Sequence, residues 1–182
     1  SREGLNDDDF IVTERVPLYI GDELVYGEEP EPVVIEPTPT PGPGETPTPT
    51  PIENYSLEVE FKSGLSVSET NDIRAAINVK NTGTTPINLS DVVVRYWYTR
   101  DGDQAQGFSS AYAHVGSENI TGVIKEIEEP VELADSYLEI GFTSDAGVLG
   151  ARSQTGEIQF KIEKVDFEKY DQSNDYSYLD SK

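Results

Sequence analysis

Residues 92–103 read VVVRYWYTRDGD, an apolar and aromatic run that ends in an acidic turn. β-Branched and aromatic residues are enriched in strands, and Asp101-Gly102 has the residue types that favour a turn. The run therefore predicts a strand over Val92–Tyr98 and a loop after it. This loop carries oxygen-bearing side chains beside flat aromatic rings, which suits a hard cation and the packing of sugar rings.

Five further segments show the alternation of apolar and polar residues that is typical of strands. Successive side chains of a strand point to opposite faces, so the alternation indicates strands with one buried face. Turn-forming residues such as Asn81-Thr82-Gly83 separate the runs, and helical patterns are nearly absent. Many short strands between turns predict an all-β sandwich. The five segments are Leu57–Phe61, Ile73–Val79, Ile120–Ile127, Tyr137–Phe142 and Glu157–Ile162.

The N-terminal part of the chain also has a β pattern. Residues 15–26 predict a hairpin around Gly21-Asp22, in which Pro17 favours an edge strand or a position whose N–H is unpaired. A Pro/Thr-rich linker follows over residues 31–54, where the composition favours extended polyproline II. Because a two-stranded hairpin is marginal in water, it is expected to pack on residues 55–182 or on a neighbouring copy.

The chain of 182 residues is strongly acidic, with a formal net charge of −22. This charge argues against nucleic acid and anionic membrane surfaces as partners, because both would be repelled. No apolar run approaches the ~20 residues of a membrane span, and the chain contains no cysteine. Neutral or cationic partners remain, and the cysteine count is compatible with an oxidising exterior.

Four segments match one known family in order and spacing: Ile73–Asp103, Gly116–Gly122, Ala134–Phe142 and Gln172–Tyr176. They resemble the family 3 carbohydrate-binding modules of cellulases, cellulosomal scaffoldins and related bacterial sensor proteins. The resemblance covers nearly all of residues 55–178. It implies a nine-stranded jelly-roll β-sandwich with a structural calcium ion.

The order of the chain departs from that family. A strand pair of the type found in residues 1–30 ends the family pattern, whereas here it comes first. A circular permutation would explain this with one domain built from residues 1–30 and 55–182. About 20 extended linker residues of about 3.1 Å each exceed the ~30 Å breadth of such a domain. The alternative is a fragment of a tandem array, which could exchange hairpins between chains. A monomer completed within one chain is favoured over a hairpin-swapped dimer.

The resemblance implies that calcium is bound between two loops. Residues at the family's ligand positions offer the hydroxyl, carboxylate and amide oxygens that calcium accepts. Turns rich in Asp and Asn also occur without any metal, but here both clusters match the family together. Calcium would join the loops and raise stability by mass action rather than take part in chemistry. The implied ligands are Thr99, Asp101, Asp171, Asn174 and Asp175.

Members of the family that bind crystalline cellulose display a flat strip of aromatic and polar side chains. The resemblance places Lys161 at the usual arginine position of this strip and Ala111 at its usual aspartate position. The planar Asp–Arg pair is therefore lost, and lysine does not replace arginine where planarity counts. Weaker or altered binding is expected. The implied strip consists of the aromatic residues Tyr112 and Phe167 with the polar residues Lys161, Asn71 and Gln159.

The family also has a shallow groove of uncertain ligand on its opposite side. The corresponding residues here keep their aromatic and polar chemistry. Aromatic grooves suit extended Pro-rich peptides, so the Pro/Thr-rich linker or a similar peptide is a candidate ligand. Tyrosines that only support the fold are an equally good interpretation. The groove residues are Arg95, Trp97, Tyr137 and Tyr176.

These features predict a non-catalytic module. One histidine, no cysteine and no nucleophile motif provide no convincing catalytic set. The expected function is attachment to cellulose or a related β-glucan, in a protein that is secreted, at the cell surface or in a cellulosome. The alternative is an interaction module with weak or no cellulose binding, whose groove binds linker peptides.

Overall fold

The computed structural model describes residues 10–32 and 55–179, which form fifteen β-strands and four short 3₁₀ turns. The turns are Leu89–Asp91, Ser117–Asn119, Ser144–Ala146 and Gln172–Asn174. The strands are β1 Ile11–Val12, β2 Leu18–Ile20, β3 Glu23–Tyr26, β4 Leu57–Ser63, β5 Glu69–Thr70, β6 Asp72–Asn81, β7 Ile87–Asn88, β8 Val92–Tyr98, β9 Gln106–Ala113, β10 Ile120–Val131, β11 Ala134–Phe142, β12 Val148–Leu149, β13 Ser153–Gln154, β14 Ile158–Lys164 and β15 Tyr170–Asp171.

Two antiparallel sheets form the sandwich. The six-stranded sheet has the order β1-β4-β6-β14-β9, with β13 also paired to β6, and the five-stranded sheet has the order β10-β11-β8-β2-β3. Two short pairs, β12 with β7 and β15 with β5, add to them. The all-β fold class predicted from the sequence is confirmed.

The core lies between the inner faces of the two sheets. Along β11 and β14, buried residues alternate with partly exposed ones, as the sequence pattern predicts. Tyr96 of β8 lies between two rings of the other sheet, with centroid distances of 5.7 Å to Phe61 and 5.4 Å to Phe160. These aromatic contacts join the two sheets through apolar side chains.

The N-terminal hairpin is part of the five-stranded sheet. β2 lies between β8 and β3, with Leu18 opposite Val94, and both Val16 and Leu18 are fully buried. Pro17 lies just before β2, and its carbonyl accepts a hydrogen bond of 3.0 Å from the Arg95 N–H. The hairpin thus packs on the body through an interior strand. The sequence predicted either an edge strand or a position whose N–H is unpaired. The structure has the second, because Pro17 precedes β2 and β2 is not an edge strand.

Only the first residues of the predicted linker are described, and residues 33–54 lie outside the described part. Glu132 donates its N–H to the Glu31 carbonyl over 3.0 Å, and Pro32 forms a bridge with Val131. The chain therefore leaves the hairpin beside the end of β10. No helix within residues 10–32 and 55–179 is long and apolar enough to cross a membrane.

The main-sheet strand β9 was not predicted from the sequence. It pairs with β14 at the edge of the six-stranded sheet, with Tyr112 opposite Gln159 and Ser109 opposite Lys161. β9 therefore has one extra residue between these pairs, which is a β-bulge. The bulge keeps Tyr112 and Ser109 on the same face of the sheet although three positions separate them.

Candidate functional site

The outer face of the six-stranded sheet carries three of the five predicted strip residues. Cross-strand partners lie side by side, so the register defines rows across the sheet. Tyr112 is 43% exposed and pairs with Gln159, and Lys161 follows on the same face of β14. The first row contains Lys62, Ala76, Gln159 and Tyr112, and the next contains Arg74, Lys161 and Ser109.

The other two strip residues are joined to each other just beyond β14. The Asn71 side-chain amide donates a hydrogen bond of 2.6 Å to the Phe167 carbonyl. Phe167 has a φ of 60°, which is unusual for a bulky residue, and its side chain is 65% exposed. Asn71 therefore stabilises a tight turn that presents the Phe167 ring to solvent.

Neighbouring carboxylates bind the polar strip residues. The Lys161 ammonium donates to Glu163 over 2.7 Å, and the Gln159 side-chain amide donates to Glu157. Lys161 thus has a carboxylate partner in its own strand, although position 111 is an alanine. Both side chains are held in place by these contacts before any ligand binds.

A planar arginine–carboxylate pair occurs one strand away, and the sequence reasoning missed it. Arg74 donates to both carboxylate oxygens of Asp72, through Nε at 2.9 Å and through a terminal nitrogen at 2.7 Å. These contacts raise the pKa of Arg74 above its usual range. Arg74 lies opposite Lys161, and its side chain is 58% exposed. The i, i+2 spacing of Asp72 and Arg74 could have predicted this pair, because it places both side chains on one face of a strand.

The five predicted calcium ligands converge from two loops. The Thr99 N–H donates to an Asp175 carboxylate oxygen over 2.7 Å, and the Thr99 hydroxyl donates to the Asn174 carbonyl over 3.1 Å. The two oxygens of Asp101 accept from the Asp171 N–H at 2.7 Å and from the Asn174 amide at 2.9 Å. The structure therefore brings these residues together although about 70 positions separate the loops in sequence.

Two oxygens of this cluster are buried without a hydrogen-bond partner, one on Asp175 and the other on Asn174. Burial is the main cause that raises the pKa of Asp175 to about 8; the Thr99 N–H opposes it, and the carboxylates of Asp101 and Asp171 add to it. A buried carboxylate without compensation is costly, and a cation would remove that cost. The chemistry of the cluster therefore fits a hard cation.

The donor set also limits which cation fits. Within residues 10–32 and 55–179, no group of three or more His, Cys, Asp or Glu side chains is arranged to hold a metal ion. A cation between these loops would need hydroxyl, amide and backbone oxygens in addition to carboxylates. Calcium accepts such mixed oxygen sets, so the residues fit calcium better than a metal that requires nitrogen or sulfur.

A buried lysine connects the Asp101 loop with the segment that carries Phe167. The Lys164 ammonium donates to the carbonyls of Asp101 at 2.8 Å and Lys169 at 2.9 Å, and it lies 4.6 Å from the centroid of the Tyr170 ring. Lysine is rarely fully buried, so composition did not predict this role. The contact links the proposed calcium loops to the strip.

Three of the four predicted groove residues, Arg95, Trp97 and Tyr137, lie on the outer face of the five-stranded sheet. The Arg95 guanidinium lies 4.1 Å from the Tyr19 ring centroid and 4.9 Å from that of Tyr137. The Trp97 ring packs on Tyr137 with centroids 4.7 Å apart, is only 7% exposed, and has a buried Nε1 without a hydrogen-bond partner. The hairpin residue Tyr19, which the sequence reasoning missed, thus packs under the Arg95 guanidinium and is itself buried.

The fourth groove residue, Tyr176, contacts the hairpin. Its ring centroid lies 5.5 Å from the Arg15 guanidinium, and its hydroxyl donates to the Glu28 carbonyl over 3.3 Å. The next residue, Glu29, pairs with Arg95 at 3.3 Å. The hairpin therefore occupies part of the surface that the sequence assigned to a ligand.

Comparison with known proteins identifies the family. Residues 58–182 match the family described as a cellulose binding domain. The chain is 46% identical over 114 residues to beta-mannanase/endoglucanase A of Caldicellulosiruptor saccharolyticus, which covers 63% of this chain and 9% of that protein. It is 37% identical over 123 residues to anti-sigma-I factor RsgI4 of Acetivibrio thermocellus, which covers 68% and 23% respectively. The chain thus spans less than a quarter of these relatives.

Solved structures show the same relationship. The CBM3b of the scaffoldin ScaA from Acetivibrio cellulolyticus aligns with a TM-score of 0.66 at 40% identity, over 69% of this chain and 82% of that chain. A biomass sensing module of an RsgI-like protein from Clostridium thermocellum aligns with a TM-score of 0.66 at 37% identity, with the same coverage. The chain therefore belongs to the cellulose binding domain family, the family 3 carbohydrate-binding modules.

Proposed function

We propose that this chain is a non-catalytic module that attaches to cellulose or a related β-glucan through the outer face of the six-stranded sheet. The observation that carries the proposal is the exposed Tyr112 ring beside Gln159, with Lys161 next on the same face. An open ring can pack on the apolar face of a sugar, while the amide and ammonium groups bind its hydroxyls. The family's description as a cellulose binding domain supports this ligand.

Depletion isotherms on microcrystalline cellulose, measured with calcium present, test this function. Two lost aromatic contacts of about 0.5–1.5 kcal/mol each are expected to weaken binding by about fivefold or more in the Tyr112→Ala/Phe167→Ala variant. A control with Val123→Ala and Val148→Ala removes two exposed apolar side chains from other strands. Equal isotherms for the wild type and the aromatic double variant would contradict the proposal.

A calcium ion held by Thr99, Asp101, Asp171, Asn174 and Asp175 is part of the same proposal. Its support is the pair of buried oxygens without partners and the raised pKa of Asp175. When bound, calcium supplies positive charge that compensates the buried carboxylates. Its role is to hold the loop after β8 against the 3₁₀ turn after β15, while ligand contact belongs to the sheet face.

A second candidate function is recognition of a Pro/Thr-rich peptide in the groove. The observation that favours it is the partly exposed Tyr137 ring, held between Arg95 and Trp97, an aromatic surface that suits a polyproline II ligand. A labelled peptide with the sequence of residues 37–51 is titrated against the wild type and Tyr137→Ala. Saturable binding that the variant loses supports this function. Equal binding by both proteins, or none by either, contradicts it.

We also propose that one chain completes its own domain, as in a circular permutant, and that the module acts outside the cell. The pairing of β2 with β8 supports completion by residues 10–32. Relatives named as endoglucanases support an extracellular location. Light scattering during size-exclusion chromatography is expected to give a monomer at micromolar concentration. A dimer would favour hairpins exchanged between chains, as expected for a tandem fragment.

A further inference from the structure

A hollow of about 400 Å³ opens on the outer face of the six-stranded sheet. Its volume lies within the range of about 300–1,000 Å³ that is common for small-molecule sites. Small side chains leave this space, and longer polar side chains surround it. The small residues are Ala76, Ala111 and Ser109, and the longer ones are Arg74, Gln159 and Lys161.

The hollow begins at the proposed strip, where Gln159 and Lys161 line it, and extends sideways to Arg74 and Ala76 of β6. Ala76 is the cross-strand partner of Gln159, and Gln159 is in turn the partner of Tyr112. Ala76 therefore lies one interstrand spacing, ~4.8 Å, to the side of β14. A sugar chain that follows β14 and β9 would cover the strip side of the hollow and leave open the side lined by Arg74 and Ala76.

The Asp72–Arg74 pair forms a planar element at the edge of this hollow. Two hydrogen bonds hold the guanidinium in one plane, and most of the side chain is exposed. A fixed guanidinium can stack on a flat ring and also donate hydrogen bonds. This pair therefore offers, one strand away, the planar chemistry that Ala111 and Lys161 lack.

The charges around the hollow favour a neutral ligand. Asp72 balances Arg74, and Glu163 balances Lys161. The third lining cation, Lys62, is only 5% exposed, with its ammonium 5.9 Å from the Phe10 ring centroid. The net charge of −22 would also repel an anionic polymer at long range. A neutral sugar ring, with apolar C–H faces and hydroxyl groups, suits small apolar residues surrounded by hydrogen-bonding side chains.

We propose that the hollow is a subsite for a neutral single-sugar branch on a β-1,4-glucan. The main chain lies on Tyr112, Gln159 and Lys161, and the branch enters the hollow against Arg74. A flat crystalline surface leaves the hollow empty, whereas a branch that projects sideways fills it. The inference rests on the proposed function and specifies the class of glucan that the same face selects.

Calorimetry with two oligosaccharides tests the subsite: cellotetraose and the same backbone carrying xylose branches. The wild type is expected to bind the branched ligand about tenfold more tightly, because branch contacts add about 1.4 kcal/mol. Ser109→Leu fills the hollow from its exposed side, and Arg74→Ala removes the planar element. Both variants are expected to lose this preference, and Arg74→Ala, which lies off the path of the main chain, is expected to bind cellotetraose as the wild type does.

Two controls separate the outcomes. Lys80→Ala removes a β6 cation that is paired with Glu60 and lies outside the hollow, and this variant should keep the preference. Tyr112→Ala should weaken the binding of both ligands. No preference in the wild type, or a preference that survives both Ser109→Leu and Arg74→Ala, overturns the subsite. Unchanged binding of both ligands by Tyr112→Ala overturns the proposed function instead.

Discussion

The outer faces of the two sheets carry similar residue types but use them differently. On the five-stranded sheet, Arg95 lies between two rings, and Trp97 is almost completely buried. On the six-stranded sheet, Tyr112 and Phe167 remain exposed beside an open hollow. Aromatic residues in a sequence thus indicate a binding face only where the fold does not bury them among their own neighbours.

Detachment of the hairpin from β8 should have the largest effect on the difference between the two faces. Leu18→Asp places a charge at a fully buried position and is expected to lower the free energy of unfolding by about 4 kcal/mol. The groove face would then lose Tyr19 from its contact with Arg95. Urea unfolding followed by tryptophan fluorescence measures the change.

Leu24→Asp is the matched control, because Leu24 lies on the same hairpin but is exposed. Its effect should stay within about 0.5 kcal/mol, as is usual at the surface. Similar losses of unfolding free energy in both variants would show that the hairpin tolerates no charge anywhere. They would contradict a specific role for the buried position of Leu18.

Calcium removal should have the next largest effect, because the two loops follow β8 and β15, which belong to different sheets. A chelator is expected to lower the free energy of unfolding by about 2.7 kcal/mol relative to free calcium at about 100 times its Kd. Asp175→Asn should abolish this response, since it removes the buried carboxylate. Asp103→Asn, at an exposed carboxylate near the same loop, should retain it. Identical urea midpoints with and without chelator would contradict a calcium site.

Single tyrosine substitutions sharpen the contrast between the two faces. Tyr112→Ala should weaken adsorption to cellulose by about fivefold, in line with about 1 kcal/mol for one aromatic contact. Tyr137→Ala removes the same side chain from the opposite face and should leave adsorption unchanged. Depletion isotherms of the two variants are compared directly. Stronger loss in Tyr137→Ala would move cellulose binding to the groove.

The smallest effect is expected when the family's carboxylate is restored beside Lys161. Ala111→Asp should change cellulose affinity by less than about threefold, because Lys161 already has Glu163 as its partner and exposed ion pairs contribute about 0–1 kcal/mol. The same isotherms measure it. A tenfold gain would show that the missing planar pair, rather than the aromatic residues, limits binding.

Much of the fold could be predicted because its strands have local signals. β4, β6, β8, β10, β11 and β14 overlap the six segments predicted as strands from the sequence. β9 was missed because Gly107, Ser109, Ser110 and Ala111 lack the branched side chains that indicate a strand. It forms because its backbone pairs with β14, and no local pattern reports such pairing.

The candidate sites follow the same division. The carboxylates and amides of the two loops could be assigned from their residue types, and the structure brings them together. The Asp72–Arg74 pair, the buried Lys164 and the contribution of Tyr19 could not be assigned in that way. Each depends on which segment lies opposite another across a sheet or a loop.

The sequence by itself determined the β class, the Pro/Thr-rich composition of residues 31–54, the two oxygen-rich loops and the positions of the aromatic residues. Composition and alternation report these features because they act over a few neighbouring residues. Only the tertiary structure decided that Tyr112 stays open while Trp97 is buried, and that Ala76 lies beside the strip. Register and the docking of β2 on β8 decide these features, and both join residues far apart in the chain.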